Sequence, residues 1–186
     1  LPRHQLLLIL LLAILAGSTW LAWLQPDDAP IPLDRSGRPL PDYYLTGLSL
    51  RQYGPDGGLA RVLKAERLTH VLEQGTALQQ PRITLENPVG APWVVSGERG
   101  QLDPDGNTLT LPDDVLITRL ATPYNRSMRL ETRNLRYRMD QGYAETDEAV
   151  TVISDRDRID AIGLQAWLQD PGRIHFSSQV RGHYEP

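Results

Sequence analysis

The stretch MRLETRNLRYRM (residues 128–139) is followed, after Asp140-Gln141-Gly142, by YAETDEAVTVI (residues 143–153). Each run has the length of a strand, and a hairpin separates them. Reading backwards from this pair, Tyr43–Tyr53, Leu59–Val71, Arg82–Glu86, Trp93–Glu98, Thr108–Leu111 and Val115–Leu120 fall into the same short runs. Reading forwards, Arg158–Leu168 and Arg173–Tyr184 do so too. Tyr53-Gly54-Pro55-Asp56-Gly57-Gly58 and Asp103-Pro104-Asp105-Gly106-Asn107 are turns, because Pro, Asp and Gly each supply backbone geometry that a strand cannot use. Leu59 to Leu72 also fits a helical period at Leu59, Val62, Leu63 and Leu72, but the hairpins around it favour strand. Short strands at this spacing predict an all-β, antiparallel sandwich or roll.

A faint rhythm runs through these strands. Ala65-Glu66-Arg67-Leu68, Gly97-Glu98-Arg99-Gly100-Gln101-Leu102 and Thr132-Arg133-Asn134-Leu135 each follow one run and precede the next. Strands repeated in this way stack as rungs, bury an internal apolar row and leave an unpaired strand at each end.

The N-terminal part has a different character. Leu6–Leu24 contains no charged side chain, and as a helix it extends about 28 Å, close to the apolar thickness of a bilayer. Arg3 precedes it and Asp27 and Asp28 follow, so residues 1–5 are expected in the cytoplasm and the rest of the chain outside. A cleaved signal has a shorter apolar core and a small-residue site. Ala16-Gly17-Ser18 offers small residues, yet Thr19 to Leu24 resumes the apolar run and places Trp20 and Trp23 where an interface would be. An uncleaved anchor over 6–24 is therefore expected. Ala13, Gly17 and Ser18 are candidates for packing against another membrane helix, because small residues let helices approach closely. Residues 25–41 carry Pro26, Pro30, Pro32, Pro39 and Pro41 and read as an extended linker. Residues 42–186 form the outside domain, about 145 residues and enough for one core.

The 186 residues include 19 basic and 23 acidic side chains, a net charge of -4. Nucleic-acid binding normally needs a basic field, so it is not expected. With no cysteine, disulfides, thiolate chemistry and a lipoprotein anchor are excluded. His4, His70, His175 and His183 lack ligand neighbours at useful spacing. No Ser sits in a nucleophile turn and no glycine loop is built for phosphate. Asp155, Asp157 and Asp160 alternate with Arg156 and Arg158, which opposes a cation. Asp103, Asp105 and Asn107 are explained by their turn. No catalytic residue, metal or cofactor is expected.

In order along the chain, several segments resemble the LptC family of the bacterial lipopolysaccharide transport machinery. Gly58–Ala65 looks like its first rung, and Trp93–Gly100 like its aromatic-led rung. Leu130–Tyr137 with Tyr143–Val152 is the most specific match, and Ile162–Ala166 with Gln179–Tyr184 resembles the family's end. Leu111-Pro112-Asp113-Asp114-Val115 departs from it, since a glycine is usual where Asp113 stands and Pro112 is disfavoured in a central strand.

The resemblance implies a twisted, open β-jellyroll, shared with LptA and the periplasmic domains of LptF and LptG. It implies a single-pass inner-membrane protein that receives lipopolysaccharide from the LptF–LptG–LptB transporter and passes it to LptA. ATP is hydrolysed by LptB, and the anchor helix modulates coupling beside LptG. Sheltering acyl chains from water needs an apolar inward row; the candidates are Leu63, Val95, Leu109, Leu111, Ile117, Leu130, Leu135, Val150, Val152 and Ile162. Partners join by adding strands to open edges. The resemblance places LptF at the N-terminal edge, with Tyr44, Leu48 and Leu50. It places LptA at the C-terminal edge, with Gly163, Ile174, Phe176, Val180 and Tyr184. Two alternatives remain: a structural periplasmic adaptor without lipid contact, and a carrier of a small apolar ligand.

Overall fold

In the computed structural model, residues 40–72, 75–87, 90–123, 125–155, 157–168 and 172–184 are described. The expected anchor at 6–24, with Ala13, Gly17 and Ser18, lies outside them, as does the linker up to Pro39. Among the described residues no helix is long and apolar enough to cross a membrane.

The strands are β1 (Tyr43–Tyr53), β2 (Leu59–Val71), β3 (Gly75–Gln79), β4 (Arg82–Leu85), β5 (Trp93–Gly97) and β6 (Arg99–Leu102). They continue with β7 (Thr108–Arg119), β8 (Met128–Arg138), β9 (Tyr143–Ser154), β10 (Asp157–Trp167) and β11 (Arg173–His183). All belong to one antiparallel sheet. Turn chemistry sets the reversals. The Asp56 carboxylate accepts from Gly58 N–H at 3.1 Å, and Asp105 accepts from Asn107 N–H at 3.0 Å. Leu59–Val71 is a strand, paired with β1 along almost its whole length. The helical period was coincidental, because its apolar residues serve two faces of a sheet.

One strand, β3, was not expected, and β6 was read only within the rung Gly97–Leu102. Each continues a neighbour across a break. β3 and β4 lie end to end along β2, with Gln79 opposite Arg67 and Arg82 opposite Lys64. β5 and β6 likewise share β7. Gln80 N–H donates to the Glu98 carbonyl at 2.8 Å, and Gly97 N–H to that of Pro81 at 3.2 Å, so the two breaks are adjacent. Conversely, the expected runs Thr108–Leu111 and Val115–Leu120 form the single strand β7. Pro112 sits at its register shift, between Leu111 and Asp114, where a missing N–H is tolerated.

The breaks form a line across the sheet. Register shifts recur between Glu131 and Arg136 on β8, between Ile162 and Leu164 for β9–β10, and between Asp160 and Ile162 for β10–β11. Gln80, Asn134, Gly163 and Gln179 adopt left-handed φ values of 49°, 47°, 76° and 51° along it. Where the β8–β9 ladder lapses, side chains replace it. Thr132 Oγ1 donates to the Ala149 carbonyl at 2.9 Å and Thr146 Oγ1 to that of Arg133 at 2.7 Å.

Bending each strand at mid-length folds the sheet on itself. Its inner face is covered by its own other half, and one core results. Leu63, Ile83, Val95, Ile117, Leu130 and Val152 lie on one side of the bend, and Leu78, Leu109, Leu135, Tyr137 and Leu164 on the other. The result is an all-β, antiparallel, twisted jellyroll arrangement.

One expected inward residue is corrected. Ile162 lies on the outer face, 37% exposed, while Ala161 and Leu164 are buried. Gly163, between them, is left-handed. That interrupts the two-residue alternation and sends Ile162 outward.

Candidate functional site

The remaining inward candidates come together. Leu63, Val95, Leu109, Leu111, Ile117, Leu130, Leu135, Val150 and Val152 are all buried in one cluster. The middle of the roll is therefore a packed core. Its character changes toward the two edges. Among the described residues β1 bonds only β2, and β11 bonds only β10.

Residues directly opposite one another share a face of the sheet. Leu50 is opposite Leu63, Leu48 opposite Ala65 and Leu45 opposite Leu68. The β1 leucines thus continue the inner apolar row, yet Leu50 is 55% exposed and Leu45 46%. On β11, Phe176 is opposite Leu164 and Ile174 opposite Ala166, and both pack against the core. Val180, two residues before Gly182, which pairs with the core-packed Ile159, continues this row and is 55% exposed. The inner face therefore runs uncovered into both unpaired strands. The other edge candidates sit elsewhere. Tyr44, opposite Thr69, is on the outer face; Tyr184 follows the end of β11 and is exposed. Gly163 is on β10, one strand in from the edge.

At the start of β1, Tyr43 stacks on His70 at 4.9 Å. His70 Nδ1 lies 2.9 Å from Thr76 Oγ1, and its Nε2 lies 3.9 Å from Asp42. These contacts fasten the first residues of the edge strand to β2 and β3.

Opposite the bend, strand ends from the two halves of the sheet face each other across a seam. A cleft of about 330 Å³ opens there, bordered by Leu59, Arg61, Leu85, Met139 and Leu168. The Arg61 guanidinium spans it, donating to the Met139 carbonyl and to Gln52 Oε1 at 2.7 Å. β2 and β8 are not sheet neighbours, so Arg61 ties the two halves together. Tyr137, on β8 two residues before Met139, is fully buried. Burial pushes that phenol's pKa up, and the charge and hydrogen bond of the neighbouring Arg61 oppose the shift. Neither Arg61 nor Tyr137 was singled out from sequence. The only signal was Tyr137 standing two residues after inward Leu135.

The outer face is polar. A cleft of about 600 Å³ near the bend is lined by Gln80, Ser96, Leu116, Arg129, Glu131 and Arg133. Its charges are paired: Arg129 with Glu131 at 2.7 Å and Arg133 with Asp114 at 3.0 Å. Asp113, in the β7 bulge, accepts from Arg99 Nε and Nη2 at 2.8 and 2.7 Å. This pairing holds Asp113 below the usual carboxylate range. The aspartates near the β9–β10 turn are likewise matched. Arg126 lies 3.2 Å from Asp157, and Arg158 donates to Asp160 at 2.8 Å. Arg158 and the Thr151 hydroxyl bring Asp160 down to about 2. Among the described residues no cluster of His, Cys, Asp and Glu could hold a metal ion.

A family model described as "Lipopolysaccharide-assembly, LptC-related" matches residues 8–185. No curated protein matches the chain. Among solved structures, it is similar to LptH from Pseudomonas aeruginosa, described as the LptA-homologous periplasmic component of the lipopolysaccharide transport device. The two are 11% identical with a TM-score of 0.52, over 68% of this chain and 95% of LptH. At that identity the likeness is one of fold alone.

Proposed function

Because the chain belongs to the family of LptC-related lipopolysaccharide-assembly proteins, we propose that it takes lipopolysaccharide from an inner-membrane transporter and passes it to a periplasmic bridge protein. The family's general role, a non-catalytic component of lipopolysaccharide transport, is the premise. The hand-off, the partners at each edge and the lipid contact go beyond that premise.

One observation carries it. The apolar inner row does not stop at the core but continues, exposed, onto β1 and β11. Apolar surface left in water costs roughly 25 cal/mol per Å², and an open strand is a standing template for another chain. A partner that added a strand at either edge would meet both needs at once. Backbone bonds would extend the sheet, and its own inward residues would cover Leu45, Leu50 or Val180. In this reading the N-terminal edge meets LptF and the C-terminal edge meets LptA. The helix at 6–24 anchors the chain in the inner membrane beside LptG, with residues 42–186 in the periplasm.

The buried middle of the row favours a second reading, an adaptor that joins the partners without touching lipid. A small-ligand carrier is less well supported, since the central row packs into a continuous core where an enclosed cavity would be needed. Site-specific photocrosslinking in intact cells separates these readings. Probes at Val95 and Ile117 report on lipid, and probes from Ile174 to Tyr184 report on LptA. Lipid adducts inside that depend on ATP, together with LptA adducts at the edge, are expected. LptA adducts alone would establish the adaptor. Neither adduct, in a folded and inserted protein, would overturn both.

A further inference from the structure

One stripe of the outer face is aromatic and cationic together. Arg138 is directly opposite Tyr143, Tyr143 opposite Trp167, and Trp167 opposite Arg173. Four side chains from β8, β9, β10 and β11 therefore stand in a row on one face. Their chain neighbours Tyr137, Ala144 and Ala166 are buried in the core, so the row itself is on the water side. The rings of Tyr143 and Trp167 lie 5.0 Å apart. The Arg138 guanidinium sits 5.2 Å over Tyr143, and that of Arg173 sits 5.7 Å over Trp167. Tyr143 is buried within this stack, Trp167 is half-buried and Arg173 is exposed.

The two ends of the row differ. At the β8–β9 end every polar group is engaged. The Tyr143 hydroxyl donates to Glu145 at 2.9 Å, and the same carboxylate serves Arg138 at 3.2 Å and Arg136 at 3.6 Å. At the β10–β11 end, no carboxylate among the described residues pairs with Arg173, which rests on the Trp167 ring alone. An indole partly in water beneath an unpaired guanidinium is complementary to an acidic sugar. The C–H bonds on one face of a pyranose pack on the electron-rich face of an aromatic ring, and arginine takes a carboxylate or phosphate through two parallel N–H groups.

Position says which sugar. Met139 and Leu168, apolar borders of the seam cleft, directly follow Arg138 and Trp167, so the row runs along the outer lip of the seam. Toward the bend, Arg136 and Glu145 continue the face into a cleft of about 210 Å³ that Asn134 and Asp147 also line. Its acids disfavour a second anion and suit neutral hydroxyls. We propose that the row from Arg138 to Arg173 is a docking surface, outside the roll, for the acidic and phosphorylated saccharide of lipopolysaccharide. Trp167 stacks on one pyranose, Arg173 turns from the indole to that sugar's anionic group, and the cleft beside Glu145 takes the hydroxyls of the next sugar. The inference rests on the transport reading and adds a contact to the polar half of the molecule, on a face the apolar row does not reach.

The test uses the full chain in detergent micelles and, as probe, the acyl-free saccharide obtained by complete deacylation of lipopolysaccharide, followed by calorimetry. The unmodified chain is expected to bind it, and more weakly as salt is raised. Trp167→Ala and Arg173→Gln are each expected to weaken binding about fivefold. Arg173→Gln, a change at an exposed side chain, should leave the thermal midpoint in place. If either folded variant binds as tightly as the unmodified chain, the row is wrongly assigned and the transport reading stands. If the unmodified chain binds intact lipopolysaccharide but not the saccharide, the docking surface falls and the transport reading again stands. If it binds neither, both fall. Should Trp167→Ala fail to fold, Arg173→Gln decides alone. Tighter binding of a cell-wall glycan fragment, lost in the same variants, would assign the row to the wall and overturn lipopolysaccharide as its occupant.

Discussion

A Cβ placed on Gly163 would stand 2.6 Å from the hydroxyl oxygen of Ser177 on the neighbouring edge strand, with Gly163 itself at φ +76°. Two constraints coincide at this residue. The left-handed backbone excludes ordinary side chains, and β11 lies too close for any side chain at all. Gly163→Ala is expected to destabilise the domain by about 1–3 kcal/mol. Adding Ser177→Gly should recover only the steric part. Urea unfolding of both variants separates the two contributions. Full recovery would mean that backbone strain plays no part.

Ile117 is 0% exposed and sits in the middle of the core. Ile117→Ala should cost about 2–5 kcal/mol, the loss seen when a packed site cannot collapse. A much smaller loss by chemical denaturation would show that the interior is looser than its packing indicates, and would favour an open lipid channel.

Asp160 gives a pH signature. Its folded pKa is depressed from 3.8 to about 2 by Arg158 and Thr151. A depressed carboxylate stabilises the fold above its unfolded pKa, and that contribution is lost as pH falls through the folded value. The thermal midpoint of the native chain should exceed that of Asp160→Asn near neutrality. The gap should narrow below about pH 4 and close near pH 2. A gap independent of pH would assign the effect to Thr151 hydrogen bonding that asparagine also disrupts.

Much of this architecture is legible in the sequence, and what is not has a common cause. Turn residues such as Pro55-Asp56-Gly57 announce reversals locally, so the long strands fall where expected. β3 escaped, and β6 was read only as part of a rung, because each is a short continuation of a strand on the far side of a bend. Only pairing with β2 and β7, distant in sequence, makes them strands. Ile162 was assigned inward by simple alternation, which a left-handed Gly163 interrupts. The edge leucines were found because they are apolar, but Tyr44 lies on the other face, since register decides faces and is set across strands. Arg61 reaches Met139 across the roll, a contact that neither residue's neighbours foretell.

The edges supply a further expectation. Leu50→Lys and Val180→Lys replace residues that are each 55% exposed. Exposed changes of this kind shift stability by only about 0.5 kcal/mol. Each should nonetheless weaken association at its own edge alone. Leu50→Lys should reduce capture of LptF and spare LptA, and Val180→Lys the reverse, as read by co-purification from cells. Equal loss of both partners would point to a global defect and against edge-specific joining.

Thr132 and Thr146 bridge the gap in the β8–β9 ladder, and their hydroxyls donate to the Ala149 and Arg133 carbonyls. Thr146→Val keeps the shape and removes the donor, at an expected cost of about 1–3 kcal/mol. Hydrogen exchange on β9 should quicken close to Glu148, whose N–H bonds Thr146 Oγ1 at 3.2 Å. Unchanged exchange there would show that backbone pairing alone holds the bend.

A meander whose first and last strands each keep one bare side has no built-in terminus. Barrels count their strands, because closure fixes the number; this sheet does not. In the proposed reading its length is set by how many chains are mated in series, and so by stoichiometry rather than by any one polypeptide, and the transverse line of bends is the thread pitch that successive chains share. A chain folded at a different height would find backbone partners at the edge but would leave the two inner faces out of step.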